Sequence, residues 1–192
     1  MKKIVIFASG TGSNALKIIE HFKKKSVGKV VLVVSNKKNA AVLDKAQQHN
    51  IPTLIINRTS FYKSESFLEV LKEYEADLLV LAGFLWLVPA YLVKAYPQKI
   101  VNIHPALLPK FGGKGMYGMN VHRAVYEAKE TQTGITIHYV NEQYDEGAII
   151  FQATCALTPE DLPEDISSKI RVLEHGNFPR IIEEIVKNYK LE

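Results

Sequence analysis

Disulfide chemistry is the first thing the sequence excludes. Cys155 is the one cysteine in 192 residues, so no internal bridge can form, and that usage fits a reducing compartment such as the cytoplasm. Set in Ile149-Ile150-Phe151-Gln152-Ala153-Thr154-Cys155, it reads as a small buried hydrophobe rather than a nucleophile. Long apolar runs are missing too. The longest are strand-sized and interrupted, which argues against a membrane-spanning helix or a membrane partner. The opening Met-Lys-Lys-Ile-Val-Ile-Phe-Ala has the basic start of a secretion signal. Its apolar part is short, however, and runs straight into Gly10-Thr11-Gly12-Ser13-Asn14, so it reads as a first strand.

Several functional signatures are also absent. No Gly-x-Ser-x-Gly elbow is present, which disfavours a serine hydrolase. No P-loop lysine-serine pair follows the first glycines. Those glycines fit G-x-G-x-x-A through Ala15, but the second strand ends in Val34-Ser35-Asn36-Lys37-Lys38, with no acid to hold a ribose hydroxyl. A dinucleotide carrying a 2′-phosphate remains an open alternative at that basic end. Net charge is only +4 and the lysines are dispersed. The densest cluster, Lys23-Lys24-Lys25, falls where a helix should end and complements its dipole, so no nucleic-acid partner is expected.

What is there describes an ordinary globular chain, 47% hydrophobic and 23% charged, long enough for one domain with a large core. We expect one domain over 1–192, with a phosphate-binding half to about 100 and a catalytic half beyond it. Residues 3–8 predict a buried strand, 14–22 a helix with Ser13 as its cap, and Val30–Val34 a strand covered on both faces. Further helices are predicted at 40–48, 64–74, and 90–95 behind Pro89, and further strands at 53–56, 77–83 and 99–103. The repeated strand–helix order is that of an α/β, doubly wound, Rossmann-like and mostly parallel sheet. Past Gly118 the pattern changes. A helix at 122–129 precedes strands at 134–140 and 148–154, too close together for a helical crossover and so antiparallel, a C-terminal extension of the sheet. Pro159–Leu173 opens a helical region that Gly176 and Pro179 interrupt or bend, with a second amphipathic segment over Ile181–Val186.

Two stretches carry chemistry. Strand, glycine loop and helix at the amino terminus form the arrangement in which amides and a helix dipole receive an anion, here a monophosphate on Gly12, Ser13 and Asn14. In Val101-Asn102-Ile103-His104-Pro105-Ala106-Leu107-Leu108-Pro109, Asn102 and His104 project from the same side of a strand that Pro105 should end. An amide that donates and an imidazole that exchanges a proton near neutral pH can hold a carbonyl oxygen as it becomes tetrahedral and negative. Asp145, in the polar loop 141–147, is the third member if that loop returns to the same rim. Metal ligation by His104, His138 and Asp145 is chemically open, but the histidines lack a short same-face spacing.

These blocks resemble the small phosphoribosylglycinamide formyltransferases. The resemblance runs from Ile4–Asn14 through Asp77–Phe84 and Asn102–Pro109 to His122-Arg123, Gly134–Val140, Asp145 and Gly147. It implies transfer of a formyl group from 10-formyltetrahydrofolate to the amine of glycinamide ribonucleotide, in purine synthesis, without a metal or a covalent enzyme intermediate. It implies Asn102, His104 and Asp145 as the catalytic trio, with substrate phosphate on Gly12, Ser13 and Asn14 and Glu174 near the ribose. The folate would meet Leu85, Trp86, Leu87, Val88, Tyr139, Val140, Asn141, Tyr144 and Asp145 beside Asn102, with Lys63 near its tail. Trp86 stands where familiar members have arginine, and Gly112–Gly118 is longer and richer in glycine than their equivalent. A deformylase, a formyltransferase acting on another amine, and a non-catalytic nucleotide-binding module are the competing readings. The deformylase and the other transferases usually carry an additional domain, for which this length leaves no room. A monomer and a homodimer both remain open.

Overall fold

The computed structural model describes residues 1–188. Its strands are β1 (Lys2–Phe7), β2 (Gly28–Ser35), β3 (Thr53–Ile55), β4 (Leu78–Leu81), β5 (Ile100–His104), β6 (Gln132–Tyr139) and β7 (Ile149–Ala156). They form one sheet in the order β3-β2-β1-β4-β5-β6-β7, parallel from β3 to β5, with β6 and β7 antiparallel. The doubly wound sheet with an antiparallel extension is therefore the fold the strand–helix alternation predicts.

The continuous apolar strands follow from coverage on both faces. In β1, Ile4 and Ile6 join one core with α1 (Ser13–Phe22), α2 (Ala41–Gln48), α6 (Met119–Glu127) and α7 (Pro163–Asn188). Val5 and Phe7 point the other way, into a second core with α3 (Arg58–Tyr62), α4 (Ser66–Glu73) and α5 (Ala90–Ala95). Alternating side chains are thus apolar on both sides of the sheet. No described helix is long and apolar enough to cross a membrane.

Two predicted features change, and one helix is additional. Ser13 does not cap α1: the N-cap position is Gly12 in a left-handed conformation, without a side-chain cap, and Ser13 is already helical. The helix expected at 64–74 is α4, and an additional short helix, α3, precedes it, started by Asn57, whose side-chain oxygen accepts from the Ser60 amide (2.9 Å). Gly176 and Pro179 do not divide the last helix, which is continuous over Pro163–Asn188. Proline removes one helical hydrogen bond, but Ile166, Ile170, Phe178, Ile181 and Ile182 are all buried against the sheet. Packing along that face outweighs the local penalty.

Glu183 pins α7 to α1. Its carboxylate is buried, accepts from His21 Nε2 (2.6 Å), and pairs with Lys25 (3.1 Å) and Lys187 (2.7 Å). The Lys187 contact leads, and the set outweighs the opposing effect of burial to hold the carboxyl at about 2. Lys25, from the densest lysine cluster, thereby stays at the surface but is paired to a buried carboxylate.

Candidate active site

Strand order reverses direction of growth at β1, which pairs with β2 on one side and β4 on the other. Loops leaving the carboxyl ends of two such strands separate and leave a crevice. Here the crevice is a cavity of about 660 Å³ lined by Gly10–Asn14 after β1, Gly83–Val88 after β4, and Asn102 and His104 of β5. Ser9 ties the two loops together: its amide donates to the Gly83 carbonyl (3.0 Å) and its hydroxyl accepts from the Leu85 amide (3.0 Å).

At the amino-terminal end, Gly12 has φ +70, and a Cβ there would overlap Val42 of α2. Only glycine permits both the left-handed turn and this approach. Asn14 Nδ2 donates to Glu174 Oε2 of α7 (2.9 Å), while Asn14 Oδ1 is buried without a partner among the described residues. Burial raises the Glu174 carboxyl above its ordinary range, and the Asn14 bond and the Arg171 charge offset this only in part. Lys37 and Arg171 line the same end. Amides, two cations and a carboxylate there suit a phosphorylated sugar: anion on the loop, hydroxyls on Glu174.

The reacting end is built by antiparallel pairing of β5 with β6. Asn102 lies opposite His138, and His104 opposite Thr136. His138 Nδ1 donates to the Tyr139 carbonyl (2.8 Å), so its Nε2 accepts from Asn102 Nδ2 (3.1 Å). That fixes the amide: its nitrogen faces His138 and keeps a second N–H to give. His104 is buried and donates Nε2–H to the Phe111 carbonyl (2.8 Å). Its Nδ1 faces Asp145 Oδ2 at 3.5 Å.

Asp145 is reached by a loop whose neck is tight. A Cβ at Gly147 would overlap the Tyr139 carbonyl, so the chain can only close there as glycine. Asp145 itself adopts φ 57, a left-handed conformation rare outside glycine, and aims both oxygens inward. Oδ2 accepts from the Gly113 amide (2.9 Å), and Oδ1 lies 3.7 Å from His138 Nε2. Burial alone would raise this carboxyl; His138, His104 and the Gly113 N–H together outweigh it and hold the group below the usual range. Asn102 and His104 of β5 and Asp145 of the loop after β6 thus meet at one rim, as two separated segments of sequence must for concerted chemistry.

Asp145 does favour a charged His104, but burial is larger and His138 opposes it, so the imidazole lies below its ordinary pKa and is neutral near pH 7. With Nε2–H held by Phe111, the free nitrogen is Nδ1, a proton acceptor beside a carboxylate. The site is therefore arranged to take up a proton at His104 and to give a hydrogen bond from Asn102.

Beneath the trio, Thr136 is fully buried and fixes the segment that follows β5. Its hydroxyl donates to the Ala106 carbonyl (2.7 Å) and accepts from the Leu108 amide (3.0 Å) and Gln152 Nε2 (2.9 Å). Thr136→Val keeps the shape but strands buried partners, and is expected to destabilise the fold by about 1–3 kcal/mol in denaturant titration. A change below about 0.5 kcal/mol would show that the hydroxyl is dispensable.

On the opposite wall, Leu85, Trp86, Leu87 and Val88 line the cavity with Val140 and Tyr144. Trp86 packs among Phe61, Tyr62 and Phe84, and Tyr62 Oη donates to the Leu87 carbonyl (2.8 Å). Three predicted contacts fall outside the lining. Lys63 ends α3 and is exposed; the cation over the Trp86 ring is Arg58, at 5.2 Å. Tyr139 packs against the core, and Asn141 accepts from the Gln143 amide (3.0 Å) within its own turn. Cys155 is half-buried and its thiol is pushed up by burial, as suits an inert side chain. Among the described residues, no group of three or more His, Cys, Asp or Glu is arranged to hold a metal ion.

His138 is the contributor that reading the strands singly missed. Its signal was the 102–138 pairing, which becomes visible only when β5 and β6 are placed antiparallel.

A doubly wound α/β protein with an anion loop at the switch point and an amide, an imidazole and a carboxylate at the next strand end is a group-transfer architecture. The chain belongs to the formyl transferase family, whose model matches residues 2–182. It is 42% identical over 187 residues to the chloroplastic phosphoribosylglycinamide formyltransferase of Arabidopsis thaliana, covering 94% of this chain and 64% of the plant protein. The chain thus spans less than two thirds of that relative's length. Among solved structures it superposes on glycinamide ribonucleotide transformylase 1 from Symbiobacterium toebii with a TM-score of 0.89 and 31% identity, covering 100% of this chain and 91% of that one. For phosphoribosylglycinamide formyltransferase from Bacillus halodurans the TM-score is 0.87 at 35% identity, covering 98% and 97%.

Proposed function

We propose that this chain is a phosphoribosylglycinamide formyltransferase, using 10-formyltetrahydrofolate to formylate the amine of glycinamide ribonucleotide in purine synthesis. The observation that carries the reading is the convergence of Asn102, His104 and Asp145 between an anion loop and an apolar, aromatic-backed wall. Names of relatives covered over nearly their whole length support it. We read 1–192 as one formyltransferase domain working in a reducing compartment such as the cytoplasm, consistent with its single cysteine.

The residues fit the two substrates. Gly12, Ser13 and Asn14 offer amides to the ribonucleotide phosphate, and Glu174 accepts from ribose hydroxyls. Leu85, Leu87, Val88 and Val140 supply apolar walls for the pterin, and exposed loop amides and carbonyls its polar partners. The folate supplies an activated formyl group on N10. Asn102 directs its free N–H at the formyl oxygen, which gains negative charge as the amine nitrogen bonds to the formyl carbon. His104 Nδ1 accepts the amine proton, Asp145 stabilises the imidazolium so formed, and the proton passes on to N10 as the carbon–N10 bond breaks. Holding both substrates side by side accounts for the remaining advantage over solution.

The test is an absorbance assay with 10-formyltetrahydrofolate, or its deaza analogue, with and without glycinamide ribonucleotide. Folate product should appear only when the amine substrate is present. Equal production without it would establish hydrolysis and overturn transfer.

A further inference from the structure

Three histidines line the cavity, and two are hydrogen-bonded: His104 to Phe111, and His138 to Tyr139 and Asn102. The third, His122, is not. It lies one turn into α6, is 5% exposed, and its Nδ1 is sealed from solvent with no hydrogen-bond partner among the described residues. We propose that His122 is a positioning residue for the ribonucleotide half of the site, donating Nε2–H to an anionic oxygen of the phosphorylated amine substrate. This rests on the function proposed above.

The argument starts from the ring's single proton. Burial, and after it the charges of His104 and Arg171, work against protonation, so the imidazole is neutral. A buried N–H without an acceptor is rarer and more costly than an unused lone pair. Nδ1 has no acceptor, so the proton sits on Nε2. That nitrogen is not among the buried unpartnered atoms and has no protein partner among the described residues; it is the one left to the cavity. Val121 and Val125 on the same helix are buried apolar residues, and an aromatic hydrocarbon at 122 would leave no nitrogen unpaired. The retained imidazole therefore points to a partner that arrives with the ligand.

Location selects the chemistry of that partner. His122 is near enough to both His104, where the proton is taken up, and Arg171 for each to oppose its protonation, and Arg171 also acts on Glu174, the partner of Asn14. A neutral donor there completes the contacts to an anion without adding positive charge beside His104, whose uptake of the amine proton the chemistry needs. A second arginine or lysine would suppress it further.

Isothermal titration of glycinamide ribonucleotide in the absence of folate, together with steady-state kinetics, tests this. His122→Phe, which keeps the ring and loses the donor, should raise Kd and KM for the ribonucleotide about ten- to a hundredfold, as expected for a hydrogen bond to an anion. KM for the formyl donor should stay within about threefold, and His122→Gln, whose amide nitrogen can reach the Nε2 position, should restore most of the loss. Unchanged ribonucleotide binding in His122→Phe, an equal loss for both substrates, or no rescue by glutamine would overturn the proposal. If the phenylalanine variant does not fold, ¹⁵N spectra of the wild-type ring decide. The Nε2–H tautomer with a shift on adding ribonucleotide supports the assignment, and the other tautomer or an unmoved signal rejects it. Failure of the wild type to bind ribonucleotide at all is a different result, which removes the functional reading itself.

Discussion

Asp145→Asn is expected to lower turnover about a thousandfold, within the usual range for losing an acid–base partner, while KM for both substrates changes little. Asparagine keeps an oxygen for the Gly113 amide, so the loop at 2.9 Å from Oδ2 has no reason to move. What disappears is the negative charge facing His104 Nδ1. The pH profile gives the sign. His104 must be neutral to accept a proton, so kcat at saturation of both substrates should fall as pH drops through its pKa. That value lies below the ordinary 6.5, because burial outweighs the raising effect of Asp145. Removing Asp145 takes away its larger raising influence and leaves only the Phe111 bond against burial and His138, so the acid limb of kcat should move to lower pH. Asp145 is held below its own usual range and stays ionised across this interval. The substrate amine, near 8 for a free α-amino group, enters kcat/KM for the ribonucleotide and should titrate alike in both enzymes. A loss under about tenfold, too small for an acid–base partner, or a limb displaced upward, would refute the pairing.

This arrangement was legible in the sequence to the extent that local pattern carried it. Ile4–Phe7 and Leu78–Leu81 are apolar without interruption because helices cover both faces, and such runs announce a parallel sheet with its crevice at the strand ends. The two-residue spacing of Asn102 and His104 gave a shared direction for the same reason. The neutral His104 was not legible, since a residue's proton affinity depends on burial by elements far along the chain. Nor was His138, whose role needs the register of β5 against β6. Lys63 was assigned to the folate side on resemblance alone; the cation held there is Arg58, on a helix that Asn57 starts and that periodicity over five residues is too short to reveal. Pro179 misled for a complementary reason: proline reports a local cost, and the buried face from Ile166 to Ile182 decides the helix.

The second large effect is expected from a single methyl group. Gly12→Ala should raise Kd for glycinamide ribonucleotide a hundredfold or more, a change of about 2.7 kcal/mol, with KM for the formyl donor nearly unchanged. Gly12 holds a left-handed turn directly before α1, and a Cβ would overlap Val42, a buried residue in the first turn of α2. Val42 cannot swing away, because its amide donates to the Gly10 carbonyl (3.2 Å) and its side chain belongs to the core. The turn must move instead, carrying the amides of Ser13 and Asn14 off the phosphate. Each charge-assisted bond is worth about 1.5–3 kcal/mol, so displacing one or two accounts for the predicted loss. Gly10 supplies the control. A Cβ there meets nothing within 4 Å, so Gly10→Ala should bind ribonucleotide about as well as the wild type. Both substitutions add the same group two residues apart in one loop, so a general intolerance of side chains would impair them equally. Separation of the two by titration calorimetry supports the phosphate cradle; equal behaviour, or wild-type affinity in Gly12→Ala, would place the phosphate elsewhere.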